Sequence, residues 1–319
     1  MKPYLLLTPG PLTTSETVKE TMMTDWCTWD EDYNLGIVQE LRKDLVSIAT
    51  KNIKDYTSVL LQGSGTYCVE AVLGATITPK DKLLICSNGA YGDRMGNIAE
   101  YYHLDYDMLA FEETEQVSVE YVDDYLSNNS DVTHVAFVHC ETTTGILNPI
   151  KELSHIVKMH GKKLIVDCMS SFGGIPLDVN ELGIDFLISS SNKCIQGVPG
   201  FGFIIARRSE LMRCNGGGPL SFSGHLRPMG NYGKRAWKMA LHFSYSCSPR
   251  FQTGVGRTSR RRRGRSTLPA LLRKSSYISR RDAFSRFPNF ARRRYSVTDY
   301  HFFPLTRIRI LTLRLSIWH

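Results

Sequence analysis

The chain reads as an α/β domain on a mainly parallel sheet with helices on both faces, followed by an arginine-rich stretch of a different kind. Three observations point there. Short apolar runs rich in branched residues alternate with longer stretches of helical spacing, the pattern of strand–crossover–strand units. Small polar or chemically active residues stand directly after those runs, and open parallel sheets bind ligands at the carboxyl ends of their strands. Charge then divides the chain: residues 215–319 hold 19 Arg and 3 Lys against two acids (Asp282 and Asp299), a balance of +20. Residues 1–214 hold 17 basic and 29 acidic residues, a balance of −12, so the overall +8 averages two unlike parts.

The elements follow in order. Residues 37–48 carry helical spacing. Thr57-Ser58-Val59-Leu60-Leu61-Gln62 reads as a strand, Gly63-Ser64-Gly65-Thr66 as a tight turn, and 69–77 as a helix with Val69, Val72 and Leu73 on one face. Lys82-Leu83-Leu84-Ile85-Cys86 is a second strand, and helical spacing resumes over 95–102 and 119–126. His134-Val135-Ala136-Phe137-Val138-His139 is a third strand, with a helix expected over 150–160. Leu164-Ile165-Val166 and Leu187-Ile188-Ser189-Ser190 are two further strands, and Gly202-Phe203-Ile204-Ile205-Ala206 follows.

The chemistry gathers at the strand ends. Asp167 closes one strand, Lys193 follows the next, and 26 residues separate them, the length of one strand–crossover–strand unit. A lysine and an aspartate so placed suit pyridoxal phosphate, the lysine forming a Schiff base and the aspartate holding a proton on the pyridine nitrogen. The Gly63–Thr66 turn before a helix can seat a phosphate, or it is simply a strand–helix turn. Tyr91 can stack on a flat ring, or it is a packed surface aromatic. The hydroxyl of Thr142 can bond a ring oxygen, or it marks a capped helix start. Any one of these residues has a purely structural reading; five in one layer are harder to dismiss.

Composition narrows the classes. No apolar run of 18 residues exists, so no membrane span is expected, and residues 1–8 are too short for a secretory signal. The eight cysteines are scattered with no Cys-x-x-Cys pair, which fits a reducing cytoplasm better than a disulfide scaffold. No metal site is expected.

Several segments together carry a resemblance over residues 4 to about 213. They are Leu5-Leu6-Leu7-Thr8-Pro9-Gly10-Pro11, Cys27-Thr28-Trp29-Asp30, Leu60-Leu61-Gln62-Gly63-Ser64-Gly65-Thr66-Tyr67, Ser87-Asn88-Gly89-Ala90-Tyr91-Gly92, Glu141-Thr142-Thr143-Thr144-Gly145, Met169-Ser170-Ser171-Phe172-Gly173-Gly174 and Asn192-Lys193-Cys194-Ile195-Gln196-Gly197. This set resembles the class V aminotransferases of the fold-type I pyridoxal-phosphate superfamily, and within them the branch that acts on 2-aminoethylphosphonate and pyruvate. The resemblance implies a large domain over 25–213, preceded by a segment, 1–24, that lines the active site. It implies the Schiff base on Lys193 and the pyridinium partner on Asp167. Tyr91 would lie over the ring and Thr142 near its oxygen, with Ser64, Gly65, Thr66 and Asn192 on the phosphate. It also implies a homodimer, ping-pong transamination giving phosphonoacetaldehyde and alanine in phosphonate breakdown, and no specific nucleic-acid or membrane partner.

Past Arg213 the resemblance stops. The family continues into a smaller domain with a Lys-Trp-Arg-Phe-Thr-Ser-Pro-Thr-His stretch and a late arginine for the anionic substrate, and neither is found here. A change of reading frame near Gly216-Gly217-Gly218 accounts for this. One permitted coding of Met239-Ala240-Leu241-His242-Phe243-Ser244-Tyr245-Ser246-Cys247, read one base on, gives Trp-Arg-Phe-Thr-Ser-Pro-Thr-His. Glutamate codons read out of frame give arginine, which suits the run Arg260-Arg261-Arg262-Arg263. Residues 214–319 are therefore expected to be a poorly packed tail replacing the small domain, and the chain as written is expected to be inactive. An alanine–glyoxylate or serine–pyruvate aminotransferase is the nearest alternative, sharing Ser64, Asp167 and Lys193. Cys140 and Cys194 beside the cofactor strands, not on a mobile loop, speak against a cysteine desulfurase. Nucleic-acid binding through the basic tail is the alternative from another class.

Overall fold

The computed structural model describes residues 5–6, 10–27 and 31–214. Thr8, Pro9, Thr28-Trp29-Asp30 and everything from 215 onward, including the stretch expected to be an arginine-rich tail, lie outside them.

Seven strands among the described residues form one sheet: β1 (Tyr56–Gln62), β2 (Leu83–Ser87), β3 (Tyr106–Ala110), β4 (His134–Val138), β5 (Lys163–Asp167), β6 (Phe186–Ser190) and β7 (Phe201–Arg207). Their order is β1-β7-β6-β5-β4-β2-β3. The pairs β2–β3, β2–β4, β4–β5 and β5–β6 are parallel. Only β7 runs antiparallel to its neighbours β1 and β6. Six strands therefore point one way, and their carboxyl ends share one edge. That edge collects the residues singled out above.

The helices are α1 (Glu16–Thr21), α2 (Glu31–Tyr33), α3 (Glu40–Ala49), α4 (Gly65–Thr76), α5 (Ala90–Tyr101), α6 (Val119–Asn128), α7 (Ile150–Met159) and α8 (Arg208–Arg213). A π-helical stretch, Asn34–Gln39, joins α2 to α3. Strand side chains alternate between faces, so neighbouring apolar residues serve two cores. Leu84, Val135, Phe137, Leu164, Val166 and Leu187 pack with Leu41 and Leu45 of α3, Leu126 of α6 and Leu153 of α7. Leu83, Ile85, Ala136, Ile165 and Ile188 pack on the other face with Val69 and Val72 of α4 and Met95 and Ala99 of α5. Each fully buried aliphatic side chain contributes roughly 1.5–3 kcal/mol of burial, and unbroken apolar runs in the central strands are what a sheet covered on both sides requires.

Four local features add to or differ from the sequence reading. Strand β3 was not anticipated, because Tyr106-Asp107-Met108-Leu109-Ala110 is an edge strand, half-exposed along its length. Helix α5 begins at Ala90, so Tyr91 stands in its first turn. The connection from β5 to β6 contains no helix; turns and a Phe172–Ile175 bridge carry it across. Thr142 does not start a helix: residues 142–144 form a turn, and the next helix opens at Ile150.

Candidate active site

A cavity of about 230 Å³ opens at the carboxyl edge of the sheet, with Lys193, Asp167, Tyr91, Thr142, Gly65, Thr66 and Asn192 in its wall. Arg94, Met169, Ser190, Val69 and Gly10 also line it. Ser64 lines a neighbouring cavity of about 260 Å³, which shares Gly65 and Asn192 with the first. All eight residues expected at a cofactor site thus lie on these two adjoining spaces.

Lys193 follows β6 in a turn fixed from both sides. The Gln196 N–H donates to the Lys193 carbonyl at 2.8 Å and the Gly197 N–H to the Ser191 carbonyl at 2.8 Å. Ser191 is fully buried and its hydroxyl donates to the Phe201 carbonyl at 3.1 Å. The backbone of Gly10 lies against the lysine side chain, so closely that a Cβ there would collide with it. Burial holds the Lys193 amine below its usual pKa, and Asp167 opposes that shift.

Asp167 ends β5 and is 3% exposed. Its Oδ1 accepts from the Met169 N–H at 2.8 Å. Burial pushes its pKa up to about 6; the Met169 N–H pulls it down, Glu141 pushes it further up, and Lys193 and Arg94 pull it down. A buried carboxylate so placed is stabilised by any cation brought beside it.

Helix α4 opens directly on the cavity. Ser64 is its N-cap, its Oγ accepting from the Tyr67 N–H at 3.4 Å, and Gly65 and Thr66 form the first turn. Asn192 accepts from the Ser190 hydroxyl at 2.9 Å. Thr142 and Ser170 hydroxyls lie 2.6 Å apart, and the Cys194 thiol donates to the Ser170 carbonyl at 3.4 Å.

Two residues that sequence reasoning gave no role organise the far wall. Glu141 is fully buried. Its Oε2 accepts from the Tyr91 N–H at 3.2 Å and its Oε1 from the Thr143 hydroxyl at 2.8 Å. It caps α5 from the segment after β4 and ties Tyr91 to the Thr142 turn. A Cβ on Gly89 would meet its Cγ at 2.6 Å, so the chain is glycine where this carboxylate passes. Arg94, one turn beyond Tyr91, holds its guanidinium 4.8 Å from the Tyr91 ring centroid and donates from Nη1 to Thr66 Oγ1 at 3.0 Å. Its i+3 spacing from Tyr91 was the signal available in the sequence.

The described cysteines are all free, and no helix among the described residues is long and apolar enough to cross a membrane.

Residues 37–233 match the sequence model of the family described as aminotransferase class-V. The chain is 87% identical over 216 residues to the 2-aminoethylphosphonate–pyruvate transaminase of Bacteroides fragilis (strain YCH46), covering 68% of this chain and 60% of that protein. It is 60% identical over 213 residues to the Vibrio cholerae serotype O1 protein of the same name, covering 67% of this chain and 58% of that one. The chain thus spans about 60% of the length of the curated relatives it matches. Among solved structures it is similar to pyridoxamine–pyruvate aminotransferase from Mesorhizobium loti, with a TM-score of 0.62 and 26% identity over 71% of this chain and 57% of that one. Alanine–glyoxylate aminotransferase from Nostoc sp. aligns with a TM-score of 0.60 and 26% identity, over 67% of this chain and 57% of that one.

Proposed function

The chain belongs to the class V aminotransferases, and from that premise we propose that it derives from a pyridoxal-phosphate enzyme that moves the amino group of 2-aminoethylphosphonate to pyruvate. The observation that carries the reading is the 87% identity to a protein of that name over a stretch as long as the region containing the cavity. The side chains present suit the cofactor: one amine, one buried carboxylate, one aromatic ring and several hydroxyls converge, and among the described residues cations outnumber carboxylates in the wall two to one.

When bound, pyridoxal phosphate supplies an electron sink for the charge left on the amine-bearing carbon. Lys193 would hold it covalently through Nζ and, once displaced by substrate amine, act as the base for the proton on that carbon. Burial suits it to the task by keeping more of the amine neutral. Asp167 would hold a proton on the ring nitrogen, gaining a cationic partner for its buried carboxylate. Tyr91 would cover one ring face, Thr142 would bond the ring oxygen, and Ser64, Gly65, Thr66 and Asn192 would take the phosphate. The net change is 2-aminoethylphosphonate and pyruvate to phosphonoacetaldehyde and L-alanine.

The same reading extends to a cytoplasmic homodimer, a large domain over 25–213 and a change of reading frame in the stretch from about 216. The abrupt loss of glutamate after Glu210 and the nineteen arginines beyond 214 support the last. The chain as written then lacks the family's substrate arginine and the threonine lent to a partner, and is expected to turn over little. The test compares the full chain as written with one whose frame is restored near codon 216, each loaded with pyridoxal phosphate. Phosphonoacetaldehyde and alanine from the restored chain support the reading. A preference for alanine and glyoxylate would replace the substrate assignment, and rapid turnover by the chain as written would overturn the frame proposal.

A further inference from the structure

Arg94 is a cation facing the cavity that forms no ion pair among the described residues. Among the described residues its polar contacts are the bond to Thr66 Oγ1 at 3.0 Å and the stack on the Tyr91 ring. Asp167 feels its field but forms no ion pair with it. The described lining therefore holds two cations, Lys193 and Arg94, against one carboxylate, Asp167. A half-buried guanidinium in that balance is matched by an anionic ligand.

The direction of the Thr66 bond adds a second constraint. A guanidinium has donors only, so Thr66 Oγ1 must be the acceptor. The one hydroxyl proton of Thr66 is then left to donate elsewhere. Thr66 lies in the first turn of α4, beside Gly65 and the Ser64 cap. Thr66 and Arg94 both line the cavity, so the Thr66 proton and the remaining guanidinium N–H groups are candidate donors to one tetrahedral anion there.

We propose that Arg94 is a positioning residue for the cofactor's phosphate: it orients the Thr66 hydroxyl as a donor and adds a positive charge beside it. The inference rests on the cofactor reading above. The tetrahedral chemistry is shared by the substrate's phosphonate, and the experiment separates the two.

Equilibrium binding of pyridoxal 5′-phosphate and of pyridoxal, which has the same aldehyde ring without the phosphate, is measured by absorbance on the full chain. Wild type is compared with Arg94→Gln, Arg94→Lys and Thr66→Val. Losing a charge-assisted hydrogen bond lowers affinity by about 10- to 100-fold. Arg94→Gln should lose that much for pyridoxal phosphate while pyridoxal stays within about 2-fold. Arg94→Lys should recover part of the loss, and inorganic phosphate should compete with pyridoxal phosphate more weakly in Arg94→Gln than in wild type. Thr66→Val should leave less for Arg94→Gln to remove in the double variant than in the single one. Equal losses for both ligands would make Arg94 merely structural and overturn the proposal. Unchanged cofactor binding with a raised KM for 2-aminoethylphosphonate in the frame-restored enzyme would move Arg94 to the substrate's phosphonate and also overturn it. Wild-type chain that binds no pyridoxal phosphate would remove the cofactor reading itself, a result distinct from either. Should Arg94→Gln fail to fold, the Arg94→Lys and Thr66→Val affinities decide the matter alone.

Discussion

His139, just past β4, ties the protein's acid stability to the strand end that presents Asp167. It is 2% exposed, and its Nδ1 lies 2.9 Å from the Ser171 hydroxyl. Its backbone N–H donates to the Asp167 carbonyl at 2.9 Å, and its own carbonyl accepts from the Asn148 N–H at 2.8 Å. Burial pushes the imidazole pKa down from 6.5 to about 4, so the folded protein keeps it neutral where the unfolded chain protonates it. The sign follows from linkage: the unfolded state binds the extra proton, so stability falls as pH drops from about 6.5 to about 4 and levels off below. At about 1.4 kcal/mol per pH unit the loss is at most about 3 kcal/mol. His139→Asn keeps an amide able to meet Ser171 but cannot titrate in this range. It should cost a constant amount near neutral pH, and its disadvantage relative to wild type should shrink by about 3 kcal/mol between about pH 7 and about pH 4. Urea unfolding of both full-length chains followed by far-UV circular dichroism measures this. His134, also held neutral down to about 4, is present in both chains and drops out of the difference. A difference that stays flat across this range would refute the reasoning.

Other perturbations test the site and the core. Because the Asp167 carboxyl is raised to about 6 in the free protein, affinity for pyridoxal phosphate should decline as pH falls below about 6. Asp167→Asn should bind more weakly and lose that inflection, which absorbance titration would reveal. Lys193→Ala should abolish the covalent absorbance band while leaving the circular dichroism spectrum intact. In Gly65→Ala the new Cβ would press on Met169 Cε at 2.6 Å, at a cost of about 1–3 kcal/mol in urea unfolding. Trimming Met169 to Ala should recover part of that loss. Ser154 on α7 has a buried hydroxyl with no hydrogen-bond partner. Ser154→Ala should raise stability by about 0.5–1 kcal/mol, through helix propensity and removal of an unsatisfied group.

Six of the seven strands were legible from the sequence alone, because apolar period and run length are local properties that survive without tertiary context. Lys193 and Asp167 were legible for the same reason, each standing where an apolar run ends. The edge strand β3 was not, since Asp107 interrupts its apolar run and Met108 and Ala110 are exposed, unlike the residues of a central strand. The start of α5 was hidden by Gly89 and Gly92, poor helix formers kept where Glu141 and Ser87 crowd the backbone.

What the sequence by itself determined was the layering of the sheet and the identity of the groups that stand at its carboxyl edge. Which of them share a cavity was decided only by strand order. Placing β5 between β4 and β6 brings Asp167 beside Val138 and Ile188, residues 29 and 21 positions away along the chain. The capping contact of Glu141 and the placing of Arg94 beside Thr66 and Tyr91 were likewise visible only in the fold, because a carboxylate capping another segment's helix, and a guanidinium that meets no acid among the described residues, are facts about neighbours in space that no local pattern records.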